Sequence, residues 1–197
     1  MKKPPPRPGR SRWPTPPGLV PHPRFGSHPH FTDVPVPTGT YGGGTPYRYE
    51  PTTIIEGTVV CATPARQLKA TVPYAYYLDV LLTCRRCDRP FIFFALEQQH
   101  WYEELGFSLD AWTNHCSECR KLAQADRRRF HRYADAISQP TLDDAALAQL
   151  LGDALAMWQA GRLTKRGTLE RLLGRGRRQL PDHAVTAALQ AALRPAT

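Results

Sequence analysis

Apolar and polar positions change rhythm several times along this chain. The stretch Thr52–Val60 is rich in β-branched residues and predicts one or two short strands. Tyr74–Thr83 predicts a second strand that leads directly into Cys84, and Phe91–Ala95 predicts a third, set off by Pro90. From Leu96 to Leu105 the pattern turns helical: Glu97, Gln98, Gln99, Glu103 and Glu104 are good helix formers, and Gly106 stands where a C-terminal cap belongs. A longer helix is predicted from about Cys119 to Ile137, carrying an interrupted apolar stripe of Leu122, Phe130, Tyr133 and Ile137 and ended by Gln139-Pro140.

Three short helices are predicted beyond that point. Thr141 with Asp144 three residues on is a capping-box variant, and Leu147, Leu150, Leu151, Ala154, Leu155 and Trp158 share one helical face up to Gly161. A second helix holds Leu169, Leu172 and Leu173 before Gly174. The third starts near Pro181-Asp182, carries Val185, Ala188, Leu189, Ala192 and Leu193, and stops at Pro195.

Residues 1–51 have neither rhythm. They hold 14 of the 20 prolines, with few aliphatic side chains and strings such as Pro4-Pro5-Pro6 and Gly42-Gly43-Gly44. Ordering a residue costs roughly 1–2 kcal/mol of backbone entropy, which so little apolar surface does not offset, so the reading is a disordered arm with polyproline stretches. The expected organisation is this basic arm over 1–51, strands plus a cysteine module over 52–139 with its core at 84–119, and a small helical domain over 140–197. The fold class is α+β.

The formal charge of +9 is unevenly spread: Lys and Arg outnumber Asp and Glu by 7 to 2 up to Glu50, whereas Leu96–Asp135 has 6 against 7. A basic arm suits nucleic acid, an acidic protein or an anionic surface without selecting among them. The start Met1-Lys2-Lys3-Pro4 lacks an apolar region behind its charges, and no run approaches the roughly 18 apolar residues of a membrane span, so the expectation is a cytoplasmic protein without membrane contact. In that reducing compartment paired cysteines are more often metal ligands than disulfides.

Four of the five cysteines form two Cys-x-x-Cys pairs, Cys84/Cys87 and Cys116/Cys119, separated by 28 residues. A two-residue gap lets both thiolates turn toward one point, and four sulfurs complete a tetrahedron, so the pattern predicts one structural zinc ion. Two disulfides and a rubredoxin-like iron site are the competing readings. The gap leaves room for a strand, a helix and seven aromatics that supply a small core, to which a metal adds on the order of 10 kcal/mol of binding free energy. Four thiolates leave no open position for a substrate, so no catalytic metal is expected. His115, beside Cys116, and His100, in the preceding helix, are the histidines that could replace a ligand. His22, His28 and His30 are explained by composition, and Cys61, without a partner at metal spacing, reads as a buried small apolar residue. With Cys116 and Cys119 at the start of the long helix, its positive end would stabilise a dianionic cage, an arrangement as close to a treble clef as to a zinc ribbon.

The run Cys84-x-x-Cys87-Asp88-x-x-Phe91-x-Phe93, through Glu97-Gln98-x-x-Trp101-Tyr102-x-x-x-Gly106, to Cys116-x-x-Cys119-Arg120 resembles the bacterial probable zinc-ribbon domain family. The resemblance covers about 40 residues and implies zinc binding; it does not imply a defined activity. Asp88 stands where that family has glycine after the first knuckle, and Thr113-Asn114-His115 replaces the proline and arginine before the second.

Arg120, Lys121, Arg127, Arg128, Arg129 and Arg132 follow the second knuckle on one helix. They are candidates for contacting nucleic acid or a protein partner; equally, Arg120 and Lys121 with Arg85, Arg86 and Arg89 would balance the thiolate charge, while Glu97, Glu103 and Glu104 pair with the rest. Glu97 and Gln98 are expected to hold the backbone of the first knuckle. No nucleophile with a base, carboxylate pair or phosphate-binding glycine loop is evident, so neither catalytic residues nor a small-molecule substrate are expected. The function expected from sequence is a non-enzymatic zinc-binding module that docks to a protein partner or assembly. The alternative is a nucleic-acid-binding protein using the basic helix 120–132 and the arm.

Overall fold

The computed structural model describes residues 13–36, 53–68 and 70–194. The chain divides into two compact units, residues 1–121 and 122–197.

The first unit is built on a three-stranded antiparallel sheet in the order β1 (Ile54–Cys61), β2 (Tyr76–Thr83), β3 (Pro90–Phe93). The central strand is buried on both sides from Tyr76 to Val80, which explains its nearly continuous apolar run, broken only by the buried Asp79. β1 is irregular: the register moves from Ile55 opposite Asp79 to Val60 opposite Tyr77, so five steps on β1 face two on β2. The extra residues include Gly57, whose φ of 77° favours glycine, and Thr58, whose hydroxyl donates to the Ile55 carbonyl at 2.6 Å and accepts from the Asp79 N–H at 2.9 Å. β2 and β3 pair from Val80 opposite Phe93 to Thr83 opposite Pro90, which brings Phe91 and Phe93 onto one face and Ile92 onto the other.

Ala95 begins helix α1 (Ala95–Gln99) instead of ending the third strand, and Phe94 is its N-terminal flanking residue. The helix widens into a π-helical turn, His100–Glu104, in which the Leu105 N–H reaches back five residues to the His100 carbonyl at 3.0 Å. Gly106 follows at φ 65°, where the sequence pattern places a cap.

Residues 13–36, read from sequence as part of a disordered arm, lie against this sheet. Val20 bridges Phe91 in parallel fashion, its N–H donating to the Pro90 carbonyl at 2.8 Å. The Thr32 N–H donates to the Gly57 carbonyl at 2.7 Å, and the His30 N–H to Asp79 Oδ2 at 2.9 Å. Trp13, Leu19, Phe25 and Phe31 pack on the cluster formed by Ile55, Ile92 and Phe94. The few apolar residues between the prolines are therefore spent as anchors, and proline itself lowers the entropy lost on ordering. The rest of the arm, 1–12 and 37–51, lies outside the described residues.

Helix α2 (Ser117–Ile137) starts in the first unit and ends in the second. The second unit contains α3 (Asp144–Gln159), α4 (Arg166–Gln179) and α5 (Ala184–Ala192) around Leu147, Leu150, Leu151, Ala154, Met157, Leu169, Leu172, Leu173 and Leu189. The core stripes of α3 and α4 match the sequence pattern. Four details differ. The α3 cap is Asp143, whose carboxylate accepts from the Ala146 N–H at 2.7 Å, and not Thr141. Gly174 does not end α4, which runs on to Gln179, and Gly176 within it gives Leu151 and Thr186 room to pack. On α2, Leu122 and Phe130 are more than half exposed, so only Tyr133 and Ile137 of the expected stripe reach the core. α5 is capped by His183, whose Nδ1 accepts from the Val185 N–H, and its inner face carries Thr186 and Leu189, with Ala188 of the expected stripe exposed; Pro195 lies outside the described residues. Gly161, at φ 67°, closes α3 as expected, with the Arg162 N–H returning to the Met157 carbonyl.

Candidate metal centre

The first knuckle is the turn between β2 and β3. Cys84 follows the last residue of β2; its N–H donates to the Arg89 carbonyl at 3.0 Å, and its own carbonyl accepts from the Asp88 N–H at 2.9 Å. The tightness of this loop forces Asp88 to φ 56°, the left-handed region. Aspartate is among the few non-glycine residues that tolerate it, which accounts for its standing in a glycine position.

The second knuckle is the start of α2. Cys116 precedes the first helical residue, and its carbonyl takes the Arg120 N–H at 2.9 Å. The approach to it is held by Thr113, whose hydroxyl donates to the His115 carbonyl at 2.8 Å and accepts from the His115 N–H. The Arg85 N–H then donates to the Asn114 carbonyl at 2.9 Å, joining the two knuckles through backbone.

The knuckles bring Cys84, Cys87, Cys116 and Cys119 together with all four sulfurs within 4.8 Å of one another. The Cys87 and Cys116 sulfurs are 3.9 Å apart. A disulfide needs about 2.05 Å, whereas ligands about 2.3 Å from a tetrahedral ion stand about 3.8 Å from each other. All four cysteines are free thiols, and the donor set fits a metal ion that favours soft sulfur ligands. Neither His100 nor His115 joins the group, and no second such group exists among the described residues. His100 is instead paired with Glu104 at 2.6 Å.

The surroundings are dry on one side. Cys84, Cys116 and Cys119 are buried with Val20, Phe91 and Phe93, and Cys87 is the most exposed ligand. Ser117 ties the same N-terminal segment down, its hydroxyl donating to the Pro21 carbonyl at 3.2 Å. Without metal the four thiols differ in acidity. Burial acts to raise Cys84, but N–H groups of Cys116, Arg86 and Cys87 directed at its sulfur outweigh this and bring its pKa to about 6. Burial, followed by the crowding of the other three thiols, pushes Cys119 up to about 12. Burial also raises Cys116. One thiolate is thus preformed, and an incoming cation must displace protons from its neighbours.

The adjacent polar residues Glu97 and Gln98 of α1 serve a different purpose from the one expected. Gln98 donates from its amide to the Leu78 carbonyl at 2.7 Å and the Phe93 carbonyl at 3.0 Å, joining β2 to β3, not the first knuckle. Glu97 accepts from Arg120 at 2.6 Å and lies 3.5 Å from His22. Both residues are buried.

The six candidate contact residues on α2 meet different environments. Arg120 is taken up by Glu97 and by the face of Trp101, 5.2 Å from the ring centroid. Arg132 binds Asp153 through two hydrogen bonds of 2.9 and 2.8 Å, and Arg129 pairs with Asp126 at 3.2 Å. Lys121, Arg127 and Arg128 are exposed. Asp153, buried in α3, is not among the residues the sequence marks out; its isolated carboxylate in an apolar stripe is the signal that an arginine must approach. Of the charges expected to balance the thiolates, Arg89 pairs with Glu118 at 3.0 Å. Cys61 ends β1 in an exposed position, contrary to the expectation of a buried one, because the strand edge there faces solvent.

No helix among the described residues is long and apolar enough to cross a membrane. No curated protein and no solved structure gives a match to this chain. Residues 78–129, spanning most of β2, both knuckles, and β3 and the helical turns between them, match the family model described as probable treble clef domain, so the central segment of the chain carries a treble clef built on a four-cysteine metal site.

Proposed function

We propose that this chain is a non-enzymatic, cytoplasmic interaction protein whose treble clef holds one structural zinc ion on Cys84, Cys87, Cys116 and Cys119 and docks to a protein partner. The observation that carries this reading is the closed donor set: four sulfurs around one centre satisfy a tetrahedral ion and leave no position for substrate or water. Zinc is preferred over iron because a buried, redox-inert ion with thiolate ligands suits a site whose visible role is to join two knuckles.

Docking to protein is supported by the loop that leads to the second knuckle. Leu105, Phe107 and Trp112 are each about half exposed there, at 51, 44 and 47 %. Exposed aromatics of this kind are enriched at protein interfaces. The nucleic-acid alternative draws on the basic residues of α2, three of which are committed to carboxylates, and is the weaker reading for that helix.

Metal analysis of the reduced protein should give one zinc per chain, and the cobalt-substituted form should show a tetrathiolate spectrum insensitive to added azide. Immobilised full-length chain should recover one protein partner in a salt-insensitive manner, and F107S/W112S should lose it. Salt-sensitive recovery of nucleic acid that R127Q/R128Q weakens would favour the alternative.

A further inference from the structure

The second unit pairs its arginines with care. Arg129 and Arg132 meet Asp153, Arg162 meets Asp126 at 2.7 Å, and Arg166 meets Glu170 at 2.8 Å. Beyond this first-turn pair, the rest of α4 differs. Arg171, Arg175 and Arg178 recur at i, i+4 and i+7, so they form one stripe along the helix, and none has a carboxylate partner among the described residues. At a rise of 1.5 Å per residue the stripe spans about 10 Å.

Like charges at these spacings destabilise a helix by about 0.2–0.5 kcal/mol per pair. The helix dipole offsets this only within the last turn, which accounts for Arg177 and Arg178 but not for Arg171 and Arg175. A second observation falls at the same place. Arg175 and Arg178 line an open depression of about 250 Å³ together with Pro140, Thr141, Leu142 and Gln179. The Gln179 amide is fixed in it, donating to the Leu142 carbonyl at 2.8 Å and to Asp144 Oδ1 at 3.0 Å. Asp144 thus accepts from an amide, and no ion pair joins it to either guanidinium among the described residues.

We propose that this face of α4 binds the phosphate backbone of a nucleic acid, with one phosphate seated in the depression between Arg175 and Arg178 and an adjacent one against Arg171. A row of guanidinium groups suits a repeating anion better than a single one, and arginine contacts phosphate through two parallel hydrogen bonds. The depression is shallow and open, and the charged groups at it are guanidiniums, so the contact tracks backbone and is not sequence-specific. This site lies in the second unit and does not rest on the docking role proposed for the treble clef.

The test uses the full-length, metal-loaded chain and a fluorescent duplex of about 20 base pairs, with anisotropy followed from about 50 to 200 mM salt. Each arginine that neutralises a phosphate contributes about one to the log–log salt slope. R171Q/R175Q/R178Q is therefore expected to lower the slope by about two to three and to weaken low-salt binding about tenfold or more. R127Q/R128Q should leave both unchanged. Glutamine keeps the helix propensity, and the single variant R175Q, expected to lower the slope by about one, decides the same question should the triple variant unfold. Absence of binding at low salt, an unchanged slope in both α4 variants, or displacement of the duplex by polyglutamate or anionic vesicles at equal charge concentration would overturn the proposal.

Discussion

Arg120, the residue immediately after the fourth cysteine, donates a 2.6 Å charge-assisted hydrogen bond to the buried carboxylate of Glu97. The pair ties the helix of the second knuckle to the helix that follows β3, so the metal is not the sole link between the two halves of the treble clef. One carboxylate oxygen, Glu97 Oε2, has no hydrogen-bond partner among the described residues, which makes Arg120 the principal compensation for this charge. Removing the arginine leaves a buried carboxylate facing only His22. R120A should therefore cost roughly 3 kcal/mol, and E97Q, which keeps a neutral acceptor, about 1–2 kcal/mol. Urea unfolding of the metal-loaded protein measures both, and an R120A cost no larger than that of E97Q would contradict the assignment.

Asp88 offers a separate test of the first knuckle. Its φ of 56° is a conformation that costs a side chain with a Cβ roughly 1–2 kcal/mol. D88G should raise stability by up to about 1 kcal/mol, and D88V should lower it by at least as much, without altering metal stoichiometry. The denaturation midpoints of the two variants should thus move in opposite directions.

The glycines of α4 should diverge in the same manner. A Cβ at Gly174 meets nothing closer than an Arg178 nitrogen at 3.8 Å, whereas at Gly176 it would stand 2.9 Å from Leu151 Cδ1 and 3.0 Å from Thr186 Oγ1. G174A is expected to gain up to about 1 kcal/mol from helix propensity. In G176A the overpacking, about 1–3 kcal/mol, exceeds that gain. Thermal melts in which both alanines stabilise would refute the packing described for α4.

Metal affinity should rise with pH. Cys119 and Cys116 have raised pKa values, so near neutrality binding must expel their protons, whereas Cys84, at about 6, is already ionised. As pH falls below about 6, Cys84 takes up a proton as well, and the slope of log affinity against pH should steepen by about one. Chelator competition across that range measures the slope; a constant slope would show that Cys84 is not the distinct thiol.

Val20 links the N-terminal segment to the same site. It is 3 % exposed and packs in the cluster that contains Cys84, Cys116 and Cys119. V20D would set a negative charge against the thiolates, and metal release to a chelator should accelerate about tenfold or more. A release rate equal to wild type would mean that residues 13–36 only cover the sheet.

The cysteine positions, the three strands and the apolar faces of α3 and α4 were legible because each depends on short-range spacing. What escaped depends on contacts remote in sequence. Nothing local tells that Trp13, Leu19, Val20, Phe25 and Phe31 find cover among the prolines, since their partners lie on strands at positions 55 and 91–94. Gly174 and Gly176 look alike in sequence, yet only the latter abuts Leu151. The α2 stripe misled for a similar reason: Leu122 and Phe130 are apolar at helical spacing but have no neighbour that covers them. Glu97 and Gln98 were recognised as a pair, while their actual partners, Arg120 and the carbonyls of Leu78 and Phe93, required the sheet to be in place.

The hydrogen bond from Ser117 to the Pro21 carbonyl closes a span of 96 residues. During synthesis at roughly 5–20 residues per second, Pro21 is added some 5–20 s before its partner exists. Long closures of this kind slow folding. The nascent protein must therefore wait with its leading anchors uncovered, a window in which a chaperone or an early-arriving ligand has access to surface that the finished molecule hides.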